Sequence, residues 1–246
     1  MFSACVVIPV YNHEDAVGTV VADVLAQNVP CILVNDGSRD SCRRVLESLA
    51  QQPGISLVNL AQNGGKGTAV VAGLREAQRQ GFTHAIQVDA DGQHDIKDLQ
   101  KFLSQAKAYP QHIISGYPRY DASVPKSRLY GRYLTHIWVW INTLSFSIKD
   151  SMCGFRSYPL ASTLPLVDRL SIGRRMDFDP EILVRLHWEG IPIRWIETKV
   201  TYPLDGISHF DVWWDNVLIS KMHAKLFFGM LWRFPHLLWR RFSHES

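Results

Sequence analysis

No apolar run in this chain reaches the roughly 20 residues that a bilayer-spanning helix needs, and no stretch is repeated or low in complexity. Cysteine is scarce: Cys5, Cys31, Cys42 and Cys153 stand far apart, with no Cys-x-x-Cys pair. That excludes a cysteine zinc site and a dithiol redox motif, and buried free thiols in a reducing compartment are expected. Neither sign of charge is in excess. A net +3 on 246 residues is too little for a nucleic-acid face, so no nucleic-acid partner is expected. The opening Met-Phe-Ser-Ala-Cys-Val-Val-Ile-Pro has no basic segment before its apolar residues, so no secretory signal is expected there. What remains, 46% hydrophobic and 20% charged, is an ordinary globular composition. It suffices for one large α/β domain, or a domain with a short appendage.

Strand and helix patterns alternate. Residues 4–10 are a continuous apolar run, as in a strand buried on both faces. Ala16, Val17, Val20, Val21, Val24 and Leu25 form a helical stripe over 14–27. Further strands are expected at 32–35, 55–60 and 84–88, with helices at 41–51, 67–79 and 96–108. This order predicts a doubly wound, mostly parallel sheet flanked by helices, with ligands at the carboxyl ends of its strands. Beyond residue 120 the rhythm changes. A long helix is expected over 126–149, a polar turn over 150–158, a helix over 176–188 and an extended segment over 191–203. We expect residues 1–212 to form the main domain and 213–246 an amphipathic, basic and aromatic tail.

Pro9–Asn12, Asp36–Ser38 and Asp89–Gln93 fall at those strand ends and can converge on one site. Ile86-Gln-Val-Asp89-Ala-Asp91-Gly92-Gln93-His94 places two carboxylates one residue apart beside a glycine turn. Hard oxygen ligands of this kind suit Mg²⁺ or Mn²⁺ holding a phosphorylated substrate; solvated turn-forming carboxylates are the plainer alternative. A dehalogenase-like phosphatase would carry such a pair on its first strand, whereas this one sits on the fourth. Asn35-Asp36-Gly37-Ser38 is either a turn with local hydrogen bonds or the place where Asp36 contacts a nucleobase or ribose. Asn63-Gly-Gly-Lys66-Gly-Thr68 precedes a helix and could offer N–H groups and Lys66 to phosphate, or be a plain glycine turn. Its spacing is not that of a Walker loop.

These segments, with Val7-Ile-Pro9-Val-Tyr11-Asn12 and Asp150-Ser-Met-Cys-Gly-Phe-Arg156-Ser-Tyr158, occur in the order seen in family 2 glycosyltransferases. The chain most resembles their dolichol-phosphate-mannose-synthase branch, over roughly residues 4–210. The resemblance implies a GT-A fold and an inverting, metal-dependent transfer from a nucleotide-diphospho-sugar. Pro9, Tyr11 and Glu14 would line the base and ribose pocket, with Asp36 on the base and Lys66 near the nucleotide. Asp89 and Asp91 would hold the divalent metal against the diphosphate, with Gln93 a further ligand. One departure stands out: where the branch has an Arg-x-x-Gly-x-Ser-Lys segment, this chain has Tyr202-Pro-Leu-Asp-Gly-Ile-Ser-His209, with His209 in place of the lysine.

The acceptor leaves two chemistries open. A polyprenyl phosphate is already ionised, and Arg119, Arg128, Arg132 and Arg156 are candidates to grip it; a solvated basic surface is the alternative for Arg128 and Arg132. A lipid hydroxyl needs a base, for which Asp177, Asp179 and Glu181 are candidates with Asp179 favoured; an acidic helix start explains the same three residues. The tail, Lys221 to Phe242, interleaves aromatics with Lys and Arg, as in a helix lying at a membrane surface; a helix docked on the core is the alternative. We therefore expect an enzyme acting on a lipid-linked acceptor, associated peripherally with the cytoplasmic face of the cytoplasmic membrane. A nucleotidyltransferase of related fold and a non-catalytic membrane-associated scaffold are the rival classes.

Overall fold

A computed structural model describes residues 1–119, 126–201, 211 and 213–243. Among these, seven strands form one sheet in the order β3-β2-β1-β4-β6-β5-β7. The strands are β1 (Ala4–Val10), β2 (Cys31–Asn35), β3 (Ile55–Asn59), β4 (His84–Gln87), β5 (Ile113–Arg119), β6 (Arg156–Pro159) and β7 (Ile193–Lys199). Only β6 runs antiparallel to its neighbours. The expected mostly parallel sheet is present, and β5 and β6 add two strands that periodicity did not predict. The polar turn expected over 150–158 ends early, because β6 begins at Arg156.

Helices cover both faces: α1 (Glu14–Leu25), α2 (Asp40–Leu49), α3 (Lys66–Arg79), α4 (Leu99–Ala108), α5 (Lys126–Thr143), α6 (Leu160–Arg169), α7 (Phe178–Trp188) and α8 (Trp214–Ser243). Two apolar clusters result. Val6, Ile8 and Leu33 pack with α1, α2 and Phe102 of α4 on one face. Val7 and Val34 pack with α3, α6 and α7 on the other. The helix expected to reach 149 stops at Thr143, where Leu144 adopts a left-handed φ of 51°.

The tail is one helix whose inner stripe, Ile219, Met222, Leu226, Met230 and Leu237, belongs to the same apolar cluster as Trp188 and Ile182. Removing it would uncover that cluster. Its outer side leaves Phe228, Trp232 and Trp239 at least two-thirds exposed. No helix among the described residues is long and apolar enough to cross a membrane.

The sheet opens between β1 and β4. Val6 and Val10 bond toward β2, and Val7 accepts from Val88 on the other side, so Pro9 faces the β4 side. Pairing with β4 has ended by there, at Val7 with Gln87, so the N–H that proline lacks is not missed. The two strands are no longer paired at their carboxyl ends, which is where doubly wound sheets take ligands.

Candidate active site

The carboxylate turn is built by the early end of β4. Strand geometry stops at Gln87, so Asp89 and Asp91 lie in the turn beyond it and strand alternation does not orient them. Asp91 accepts the N–H of Gln93 at 3.0 Å, and Gly92 takes a φ of 71° to close the turn. Gln93 in turn accepts the N–H of Thr201 at 3.0 Å, tying the turn to the chain just past β7. The glycine of the Gly-Phe-Arg segment has its reason here: a Cβ on Gly154 would collide with the carboxylate of Asp89.

Lys66, the first residue of α3, joins this turn to α7. Its ammonium lies 2.8 Å and 2.9 Å from the two oxygens of Asp89 and 2.7 Å from Asp179. Burial disfavours the ammonium, but Asp179 and Asp89 outweigh it and hold Lys66 charged above its ordinary range. Burial would likewise raise the Asp89 carboxyl; Lys66 and then His94, 3.6 Å away, hold it well below the usual carboxylate range. Asp179 is only 4% exposed and also accepts from Gln87 at 3.1 Å. Each of its oxygens is engaged, one by Gln87 and the other by the Lys66 ammonium, and a carboxylate held against an ammonium is a poorer proton acceptor than the free base expected of it. Asp177 accepts the Arg175 N–H at 2.9 Å, and burial raises its carboxyl above the ordinary range.

Asp36 and the glycine run turn out to satisfy one another. The Asp36 carboxylate accepts from Gly64 N at 2.7 Å, Gly65 N at 2.9 Å and Asn63 Nδ2 at 3.1 Å. Those N–H groups are therefore not offered to phosphate, contrary to the sequence expectation. The Asp36 side chain, 2% exposed, braces the turn that presents Lys66. Glu14 is similarly engaged, accepting from Arg39 at 2.9 Å and Ser41 at 2.8 Å. Pro9 and Tyr11 are half-buried at the end of β1, where Asn12 donates to Ser38 and stitches β1 to the turn after β2.

The arginines separate by surroundings. Arg156 is wholly buried and donates to Ser115, Tyr158 and the carbonyls of Asp179, Ser151 and Cys153. It cannot grip an external phosphate; it holds β5, β6 and α7 together. Arg132 forms a two-point bridge to Asp150 at 2.6 Å and 2.6 Å, and Asp150 also accepts from the N–H groups of Met152 and Cys153. Arg119, at the end of β5, is 78% exposed in its side chain, with Glu197 3.7 Å away. The side chain of Arg128 and all of His209 lie outside the described residues.

The glycosyl transferase family 2 model matches residues 5–163. The chain belongs to that family. A dolichyl-phosphate beta-glucosyltransferase of Dictyostelium discoideum is 26% identical, covering 92% of this chain and 74% of the relative. A UDP-N-acetylglucosamine–dolichyl-phosphate N-acetylglucosaminyltransferase of Methanococcus voltae is 25% identical, covering 78% and 85%. Among solved structures, glucosyl-3-phosphoglycerate synthase of Mycobacterium tuberculosis, in complex with Mn²⁺, UDP and phosphoglyceric acid, superposes with a TM-score of 0.66. It is 13% identical, covering 93% of this chain and 78% of that one. That likeness carries the GT-A fold.

Within this family member, several site residues escaped the sequence reading. His94 stood in the quoted carboxylate motif, but nothing local showed that its ring, 7% exposed, turns toward Asp89. Gln87 and Tyr158 share a buried hydrogen bond of 3.1 Å beneath Asp179. They are brought together only by the antiparallel pairing of β4 with β6.

Proposed function

We propose that this chain is a metal-dependent inverting glycosyltransferase that moves a sugar from a nucleotide-diphospho-sugar to a lipid-linked phosphate at a membrane surface. The observation that carries it is the convergence of Asp89, Lys66 and Asp179 beyond the carboxyl end of β4, in a family 2 chain whose relatives are named for dolichyl phosphate.

The donor set fits a hard divalent ion only in part. No group of three His, Cys, Asp or Glu that could hold a metal gathers among the described residues. Two carboxylates completed by substrate phosphates are, however, how Mg²⁺ is commonly held, and the Lys66 ammonium against Asp89 marks a place that already accepts a cation. Asp89 and Asp91 would hold the ion, with Gln93 adjacent. When bound, it supplies positive charge to the departing diphosphate. The chain's own residues hold that turn in place, and Lys66 adds a fixed positive charge beside it.

A phosphate acceptor is favoured over a hydroxyl because Asp179 is already spoken for by Lys66 and Gln87. An ionised phosphate oxygen attacks the anomeric carbon as the bond to the nucleoside diphosphate breaks. The leaving group carries off the electron pair, and no proton moves. Arg119, at the carboxyl end of β5 and 78% exposed in its side chain with only a 3.7 Å ion pair to Glu197, is accessible to meet that phosphate. The exposed aromatics of α8, and Tyr130, Tyr133 and Leu134 of α5, suit a lipid surface. The four buried free thiols suit its cytoplasmic side.

The test incubates the full chain with Mn²⁺, radiolabelled nucleotide sugars and polyprenyl phosphate in vesicles. Label in the lipid phase with release of nucleoside diphosphate is expected. Pyrophosphate released in a parallel incubation with nucleoside triphosphates and a sugar phosphate would mean a nucleotidyltransferase, and no turnover in either incubation would favour the scaffold.

A further inference from the structure

The segment between α6 and α7 seats directly on the glycine turn that presents Lys66. Thr68 donates its N–H to the carbonyl of Arg174 at 3.2 Å. A Cβ on Gly65 would come within 2.5 Å of that carbonyl and 2.7 Å of Arg175 Cγ; one on Gly67 would come within 2.6 Å of Phe178. Gly65, at a φ of 91°, could not carry a side chain without strain. The turn and the 173–178 segment are thus packed backbone to backbone, and a shift of one shifts the other.

Arg175 links this contact to α8. Its Nε donates to Asp215 Oδ1 at 3.2 Å, and Asp215, in the first turn of α8, is 0% exposed. The other Asp215 oxygen accepts the N–H of Asp211 at 2.9 Å. A fully buried carboxylate needs a charged partner, so Arg175 and Asp215 fix one another.

We propose that Arg175 is a positioning residue for donor binding: anchored by Asp215, it seats the 173–178 segment on the glycine turn and so sets Lys66 and Asp36. This rests on the reading that the carboxyl ends of β1 and β4 take the nucleotide donor. It makes the start of α8 part of the donor site as well as of the outer surface. In accord with this, the Arg175 charge is felt at Asp36: burial pushes that carboxyl upward, and the Gly64 and Gly65 N–H groups and Arg175 oppose the rise.

The experiment titrates the full chain, with Mn²⁺, with UDP, GDP, CDP and dTDP by calorimetry, and carries the tightest ligand into the variants. Arg175→Ala and Asp215→Asn are each expected to weaken binding about tenfold or more, and together no more than either alone. Arg175→Lys recovers part of the loss. Met230→Ala, which loosens α8 far from Arg175, leaves the affinity unchanged although it lowers the thermal midpoint. Unchanged affinity in Arg175→Ala overturns the proposal, as does an equal loss in Met230→Ala. A wild-type chain that binds none of the four diphosphates overturns the donor-site reading itself.

Discussion

Lys66 sits where three chain segments meet, and its charge is what makes two nearby carboxylates compatible with burial. Replacing one member of such a cluster leaves the others uncompensated, at a cost of about 3 kcal/mol or more. We expect Lys66→Met to lower the urea midpoint accordingly and to abolish transfer. Lys66→Met combined with Asp179→Asn should regain part of the stability but not the activity; circular dichroism and a transfer assay read the two separately. An unchanged midpoint in the single variant would mean the cluster is solvated. At this scale the sequence was informative about identity and poor about partners. Asp36, Lys66 and Asp89 stood out because of their glycine and strand context. That Asp36 faces the glycine turn, and that Arg156 is buried, depends on contacts between segments far apart in the chain.

The elements were legible where one pattern repeats. The apolar runs of β1 and β2 and the stripe of α1 announce themselves, since burial on both faces or on one helical side dictates their composition. β6 did not, because Arg156-Ser-Tyr-Pro looks like a turn until Ser115, Tyr158 and three carbonyls satisfy its arginine. The tail showed both of its faces in sequence, but which face docks is decided by α5 and α7. Leu226, fully buried on α8, gives a direct measure of that docking: Leu226→Ala should cost about 2–5 kcal/mol, read as a fall in the urea midpoint. A value below 1 kcal/mol would mean that α8 is only loosely attached.

The same interface should respond to acid. His223 of α8 and His187 of α7 are each lowered to about 4, chiefly by burial, with Arg240 adding to the effect at His187. Unfolded, both titrate near 6.5, so between about pH 6.5 and 4 the unfolded chain binds more protons than the folded one. Stability is therefore fully present above about 6.5 and declines as the pH falls toward 4. His223→Gln should flatten that decline, measured as urea midpoints at pH 7, 5.5 and 4.5. A wild-type midpoint independent of pH over this window would contradict the burial of both rings.

For the whole molecule, the question is whether catalytic site and outer surface work as one. The Lys66, Asp89 and Asp179 cluster lies beyond the carboxyl end of β4. The exposed aromatics of α5 and α8 flank the helix pair joined by Trp138 against Phe227 and His223. Trp232 and Trp239 are 86% and 67% exposed and make no part of the core, so replacing both with Ser should leave the fold intact. Trp and Phe partition to the headgroup boundary, and neighbouring Lys and Arg add attraction for anionic lipid. The double variant should therefore sediment less with vesicles containing anionic lipid, while binding nucleoside diphosphate as the wild type does. Its transfer to a long-chain polyprenyl phosphate in those vesicles should fall several-fold, and transfer to a short, water-soluble polyprenyl phosphate should not. Loss with both acceptors would place these tryptophans in folding or catalysis. Undiminished sedimentation would remove α8 from the membrane surface and leave its aromatic face to a protein partner.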